Sequence, residues 1–264
     1  MSQDQTSILP DVITPVSDTI QANLPETAKQ TDGALSTVVG FFNNVVLYPV
    51  KKANLTFRYK LEAFEDDLKE KIKGIPDEHL QVPPTMIAGP TLEALRYTYD
   101  EEELREMYEN LLASAMDNRK VSQAHPAFVD AIKQMSPLDA KVLSMIVNKG
   151  QLPCGKIQFD VTKEGLIYSC GMPVHFVVEL YELGDPFVIS ASITNLERLS
   201  LIRVVDGKLN GVNYESMKSH PYVLSRKERF EKFGRNFEIT LKERAITTDD
   251  YGRQFAKICL AKEV

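Results

Sequence analysis

The chain has 264 residues, 43% of them apolar and 26% charged, with a net charge of −6. A chain of this size can bury a substantial core without disulfides or metals, and the composition excludes disordered, fibrous and multi-span membrane classes. By segment the charge is −4 over 1–50, +2 over 51–73, −6 over 74–135 and +2 over 136–264, so any contact with nucleic acid rests on local patches, against a global field that repels phosphate.

The three cysteines, Cys154, Cys170 and Cys259, are widely spaced, which argues against a disulfide framework and for a reducing, cytoplasmic setting. The opening MSQDQTSILPDV lacks the basic-then-apolar order of a secretory signal. Residues 1–32 carry several acids, Lys29 as their one base, and Pro10, Pro15 and Pro25 among Thr, Ser and Gln. They read as a loosely ordered acidic arm.

Residues 33–50 (GALSTVVGFFNNVVLYPV) are the most apolar run, with Val38, Val39, Phe41, Phe42, Val45 and Val46 at its centre. Two readings compete: a buried or self-associating helix, or a membrane-contacting segment before Lys51 and Lys52. Spanning needs about 20 predominantly apolar residues, and Asn43, Asn44 and Pro49 interrupt this run, which favours burial or self-association.

From Lys51 to Lys73 the apolar positions Phe57, Leu61, Phe64, Leu68 and Ile72 recur at helical spacing, and Gly74 supplies a stop. Pro76, Pro83 and Pro84 predict an extended connector, followed by a short helix over Thr91–Tyr97. Asp100 and Glu103 read as a capping box for a helix to Met116, whose Leu104, Met107, Tyr108, Leu111, Leu112 and Ala115 fit the amphipathic template throughout. The acids Asp100 to Glu103 point in different directions around a helix start, so they read as caps and dipole complements before they read as metal ligands.

Pro126 suits the first position of a helix over Ala127–Met135, and Ser136 caps another over Leu138–Asn148, stopped by Gly150. His125 reads as a cap or packing residue. Beyond Gly150 the texture changes: QFDV, GLIYS, VHFVVELYEL and PFVIS read as short strands. Ser190–Ser192 predicts the cap of a helix to Ser200, continuing into a strand over Leu201–Val205 and a turn at Asp206-Gly207. Phe237–Ile246 alternates as a strand, and Thr247 or Thr248 caps a closing helix.

This order predicts an α+β, predominantly α fold: a helical module over 51–135, then a decorated winged-helix-like domain over 136–264. In DNA-binding versions of that domain one helix offers donors to the major groove. Here that helix and its surroundings offer Asn195, Arg198 and Arg203, a sparse basic complement that favours packing or protein contact. Arg226, Lys227 and Arg229 form a basic stretch interleaved with Glu228 and Glu231. It could contact an acidic partner or nucleic acid, but the interleaved acids favour a solvated helix face.

Catalytic signatures fail on inspection. Gly150 to Lys156 matches G-x4-G-K, but Ile157 stands where a hydroxyl should reach magnesium, and the motif follows a helix instead of leading into one. Cys154, Cys170, His175 and Cys259 contain no closely spaced pair to preorganise zinc. No cofactor or catalytic residue is assigned, leaving a carboxylate cluster assembled in three dimensions, as in a metal-dependent nuclease, as the remaining enzymatic alternative.

The strings KIKGIPDEHLQVPP, IAGPTLEALRYTYDEEELREMYENLLASAMD, HPAFVDAIKQMSPLDAKVL and NLERLSLI, in this order, resemble the abortive infection alpha family of bacteria over roughly 50–264. The resemblance implies a cytoplasmic antiphage defence protein and brings no catalytic residues to transfer. It leaves three expectations: a non-enzymatic effector or sensor contacting a phage or host protein, another copy of itself or a membrane; a nucleic-acid-binding regulator; or a cryptic nuclease. The family's closing Leu-Thr-x-Phe-Gly is here the longer, more polar Ile246-Thr-Thr-Asp-Asp-Tyr251-Gly252.

Overall fold

The computed structural model describes residues 55–161, 166–168, 171–232 and 236–260, together with Gly40. The acidic arm and the apolar run, with Val38, Val39, Phe41, Phe42, Val45 and Val46, lie outside the described residues. The fold is predominantly α with one antiparallel sheet.

Helix α1 (Leu55–Ile72) buries Leu61, Phe64, Leu68 and Ile72, as their spacing requires. Helix α2 (Thr85–Thr98) begins six residues earlier than the sequence suggests and carries Pro90 inside it. The Pro84 carbonyl accepts from the amides of Ile87 and Ala88, and burial of Ile87, Ala88, Thr91, Leu92 and Leu95 outweighs the proline's lost hydrogen bond.

Helix α3 (Glu102–Ala115) buries the six apolar positions that its periodicity marks. Its N-cap is Glu101, without a side-chain capping bond. Asp100 does not cap it; its carboxylate is held by Lys60 of α1 at 2.5 Å, so an ion pair from α1 to the turn before α3 replaces the expected local box. Short α4 (Ala127–Lys133) follows Pro126. Helix α5 (Pro137–Lys149) has the full capping box, Asp139 N donating to Ser136 Oγ and Ser136 N to Asp139 Oδ2, and ends at Gly150 with φ 76°.

Strands β1 (Gln151–Val161), β2 (Leu166–Tyr168), β3 (Arg203–Asp206) and β4 (Phe237–Thr247) form a sheet of order β2-β1-β4-β3. β1 and β4 pair along their whole length, Gln151 opposite Thr247 and Val161 opposite Phe237. Gly155, within the G-x4-G-K string, sits inside β1 and exchanges both backbone bonds with Phe176. The string is therefore sheet, with its amides committed, and not a phosphate loop.

Two of the expected strands are helical or coiled. VHFVVELYEL becomes an irregular stretch and a 3-10 turn (Val178–Leu183), and PFVIS opens helix α6 (Pro186–Arg198). Asp185 caps α6 by accepting from Phe187 N and Val188 N, with Pro186 in the first turn. This start signal prevails over the β-propensity of the following apolar residues. Helix α7 (Pro221–Glu231) carries the basic stretch, and α8 (Asp250–Cys259) is capped by Asp249, not by a threonine. At Gly252 a Cβ would stand 2.0 Å from the Leu201 carbonyl oxygen, so α8 approaches the chain before β3 at backbone distance.

The sheet separates two apolar clusters. The larger runs from Leu61 of α1 to Cys259 of α8 and includes Leu152, Cys154 and Ile246 from the sheet. The smaller sets Ile157, Phe159 and Phe237 against Phe176, Tyr214, Met217 and Val223. The segment between β3 and β4 thus covers part of the sheet.

Candidate interaction surface

Helix α6 turns Ile189, Ile193 and Leu196 inward. Its outer face would carry base-reading donors in a DNA-binding winged helix, but it exposes Phe187 (40%) and Val188 (55%), with Ala191 and Thr194 beyond them. Val174 (56% exposed) precedes His175, whose amide donates to Ser190 Oγ of α6. Arg226 of α7 lies over the Phe187 ring at 5.5 Å while its Nε donates to the Gly171 carbonyl. Tyr181 packs edge-on against His220 and Tyr222 at the start of α7. His220 Nδ1 accepts from Tyr222 N, and burial lowers the imidazole's pKa, so the ring's ordinary state here is neutral. These side chains form an apolar and aromatic surface edged by Asp185 and Arg226.

The sequence-derived contact residues divide differently. Asn195 Nδ2 donates to the Gln134 carbonyl at 2.9 Å and to Asp139 Oδ2 at 3.1 Å. Arg198 donates to Asn195 Oδ1 and, from Nη1, to Gln134 Oε1. Both therefore tie α6 to the corner between α4 and α5. Arg203 is exposed at the start of β3. Lys227 pairs with Glu231 at 3.4 Å, and Arg229 is exposed on α7. Phe187 and Arg198 stand 11 residues apart on α6, about 16 Å at helical rise, so Arg226 and Arg198 mark opposite ends of the helix. Only Arg226 joins the apolar surface.

Among the described residues, the one close cysteine–histidine approach is not that of an activated nucleophile. Cys154 Sγ and His175 Nδ1 come within 3.9 Å, but burial pushes the Cys154 thiol up to about 12 and lowers His175. The thiol is neutral, without the thiolate that attack or ligation needs. Among the described residues no three His, Cys, Asp or Glu side chains gather to hold a metal ion. No described helix is long and apolar enough to cross a membrane.

On another side, the end of α5, the start of β1, the end of β4, α8 and Glu106 of α3 enclose an open groove of about 830 Å3. The family model of abortive infection alpha matches residues 56–259. The chain belongs to that family. The match runs from α1 to the last residue of α8, so the described fold is the family's domain, and the apolar run at 33–50 precedes it. Membership carries an abortive-infection-type role. No curated protein and no solved structure matches the chain.

Proposed function

We propose that this abortive infection alpha protein acts in antiphage defence as a non-enzymatic effector or sensor, through protein contact made by the outer face of α6 and the start of α7. The observation that carries this reading is the division of α6: its polar Asn195 and Arg198 are engaged by Gln134 and Asp139, Glu197 accepts from Val204 N, and the large apolar side chains it exposes are Phe187 and Val188. An exposed apolar patch edged by charge suits a protein partner, whereas base readout needs free donors.

We read α5, α6 and strands β1, β4 and β3 as a winged helix spanning 136–264, decorated by the segment between β3 and β4. The strand order β1-β4-β3 and the placement of α6 after β1 and before β3 support this assignment. The helical module at 51–135 shares one core with it, so the two serve as a single scaffold. The apolar run at 33–50 is proposed as a further contact element, for self-association or membrane contact in the cytoplasm.

Phage challenge of cells expressing the full chain tests the reading. F187D and V188D place charge on exposed positions, so both proteins should melt as the parent does and lose protection; undiminished protection with either variant overturns the role of this face. Deleting 1–50 tests the apolar run in the same assay. The α7 stretch of Arg226, Lys227 and Arg229 supports a second reading as a nucleic-acid-binding regulator. Mobility shifts at several salt concentrations decide it, since phosphate-driven binding weakens steeply as salt rises.

A further inference from the structure

The groove between α5 and α8 has an electrostatic character opposite to that of the chain. The protein carries 37 acids against 31 bases, yet among the described residues the groove is lined by Lys149, Arg253 and Lys257 with Glu106 as the one carboxylate. Thr247 and Thr248 add hydroxyl groups at one side, and Val147 and Leu260 give an apolar portion. Lys149 stands in the last turn of α5, exposed. Lys257 reaches Gln123 Oε1 at 2.7 Å, and Arg253 Nη1 donates to the Thr248 carbonyl. Lys257 is thus positioned by a neutral partner and keeps its charge to offer a ligand, while Arg253 pairs through Nη2 with the exposed Asp250 at 2.5 Å.

We propose that this groove binds a phosphorylated small organic molecule of nucleotide size. Its volume of about 830 Å3 lies within the usual range for small-molecule sites and is far larger than inorganic phosphate needs. Ammonium groups act as point charges for phosphate, a guanidinium adds directed donors, and the threonine hydroxyls donate to tetrahedral oxygens. The apolar portion beside Val147 and Leu260 receives the organic part. Cations grouped in a concave surface focus the field locally even though the whole chain is acidic. Because the walls come from α3, α5, β1, β4 and α8, an occupant touches the helical module and the sheet together. The proposal does not depend on the α6 surface, which the groove does not include.

Calorimetric titration of the full-length protein tests it, with a nucleoside 5′-monophosphate, inorganic phosphate and citrate as separate probes. The expected result is that the nucleotide binds at least tenfold more tightly than either of the other two, with an affinity that falls as salt rises. K149Q with K257Q should weaken nucleotide binding by tenfold or more without moving the melting temperature, both side chains being exposed, and E106Q should strengthen it. If the double variant melts lower, K149Q alone and E106Q carry the same opposite expectations. No heat with any probe at millimolar concentration, tighter binding of citrate than of both phosphates, or binding indifferent to these substitutions overturns the proposal.

Discussion

Asn110 of α3 donates from Nδ2 to the Cys259 carbonyl at 3.0 Å, joining two helices that are 149 residues apart in sequence. Its Oδ1 accepts from Lys71 Nζ of α1 at 2.9 Å, so one amide links the first helix, the third and the last. It also satisfies a carbonyl at the end of α8 that has no partner further along the helix. Asn110→Ala should cost roughly 1–3 kcal/mol, the range for a part-buried hydrogen bond whose partner is left unsatisfied, read as a lower urea midpoint with an unchanged slope.

Glu109, beside it, makes stability depend on pH. Its side chain is buried against Lys71 and Arg105, each at 3.6 Å, and burial raises the carboxyl to about 7 against these cations. A folded value above the unfolded one means that ionisation opposes folding. The contribution of the neutral acid is therefore complete below the ordinary carboxyl range and lost as pH rises towards 7. Relative to the parent, E109Q should gain stability by roughly 1–2 kcal/mol between pH 4 and pH 8. Urea unfolding at both pH values measures it; a difference that stays constant contradicts the assignment.

Asp117 has the opposite sign. Its carboxylate, 1% exposed, accepts from Arg119 N, Nε and Nη2 at 2.7–3.0 Å, and these bonds lower its pKa to about 2. The stabilisation is present above the ordinary aspartate range and is lost as pH falls towards 2. D117N should destabilise by about 1–3 kcal/mol at neutral pH, and the deficit should shrink in melts at progressively lower pH down to 2.

Gly252→Ala should be among the most damaging single-methyl changes. The added carbon would meet backbone, the Leu201 oxygen at 2.0 Å, which cannot rotate away as a side chain can. Displacing α8 from the chain before β3 should cost about 3 kcal/mol or more, visible as a drop of several degrees in melting temperature.

How much of this was readable beforehand depended on whether the deciding contact was local. The α3 stripe, the Ser136 cap and the Gly150 stop are settled within a few residues, and all three stand as expected. Asp100 had the residues of a cap but serves Lys60, 40 positions away. Helix α6 was harder because it is apolar on two faces: Ile189, Ile193 and Leu196 face the core while Phe187 and Val188 face outward. Such a run has no clean helical period in its first turns, so PFVIS reads as a strand and the helix is expected only from Ser190–Ser192, whereas the Asp185 cap starts it at Pro186. The candidate surface is hidden in the sequence for a related reason. Asn195 and Arg198 looked free because Gln134, which engages both, lies more than 60 residues earlier.

The smaller apolar cluster has a consequence for how the molecule comes apart. It joins α7 and the 3-10 turn before it (Tyr214–Ser219) to one side of β1 and β4, while α1 to α5 are anchored in the other cluster. The segment between β3 and β4 can therefore peel away without opening the helices. In native-state hydrogen exchange its amides should form a separate, less protected cooperative unit, and a protease should cut there while α3 remains closed.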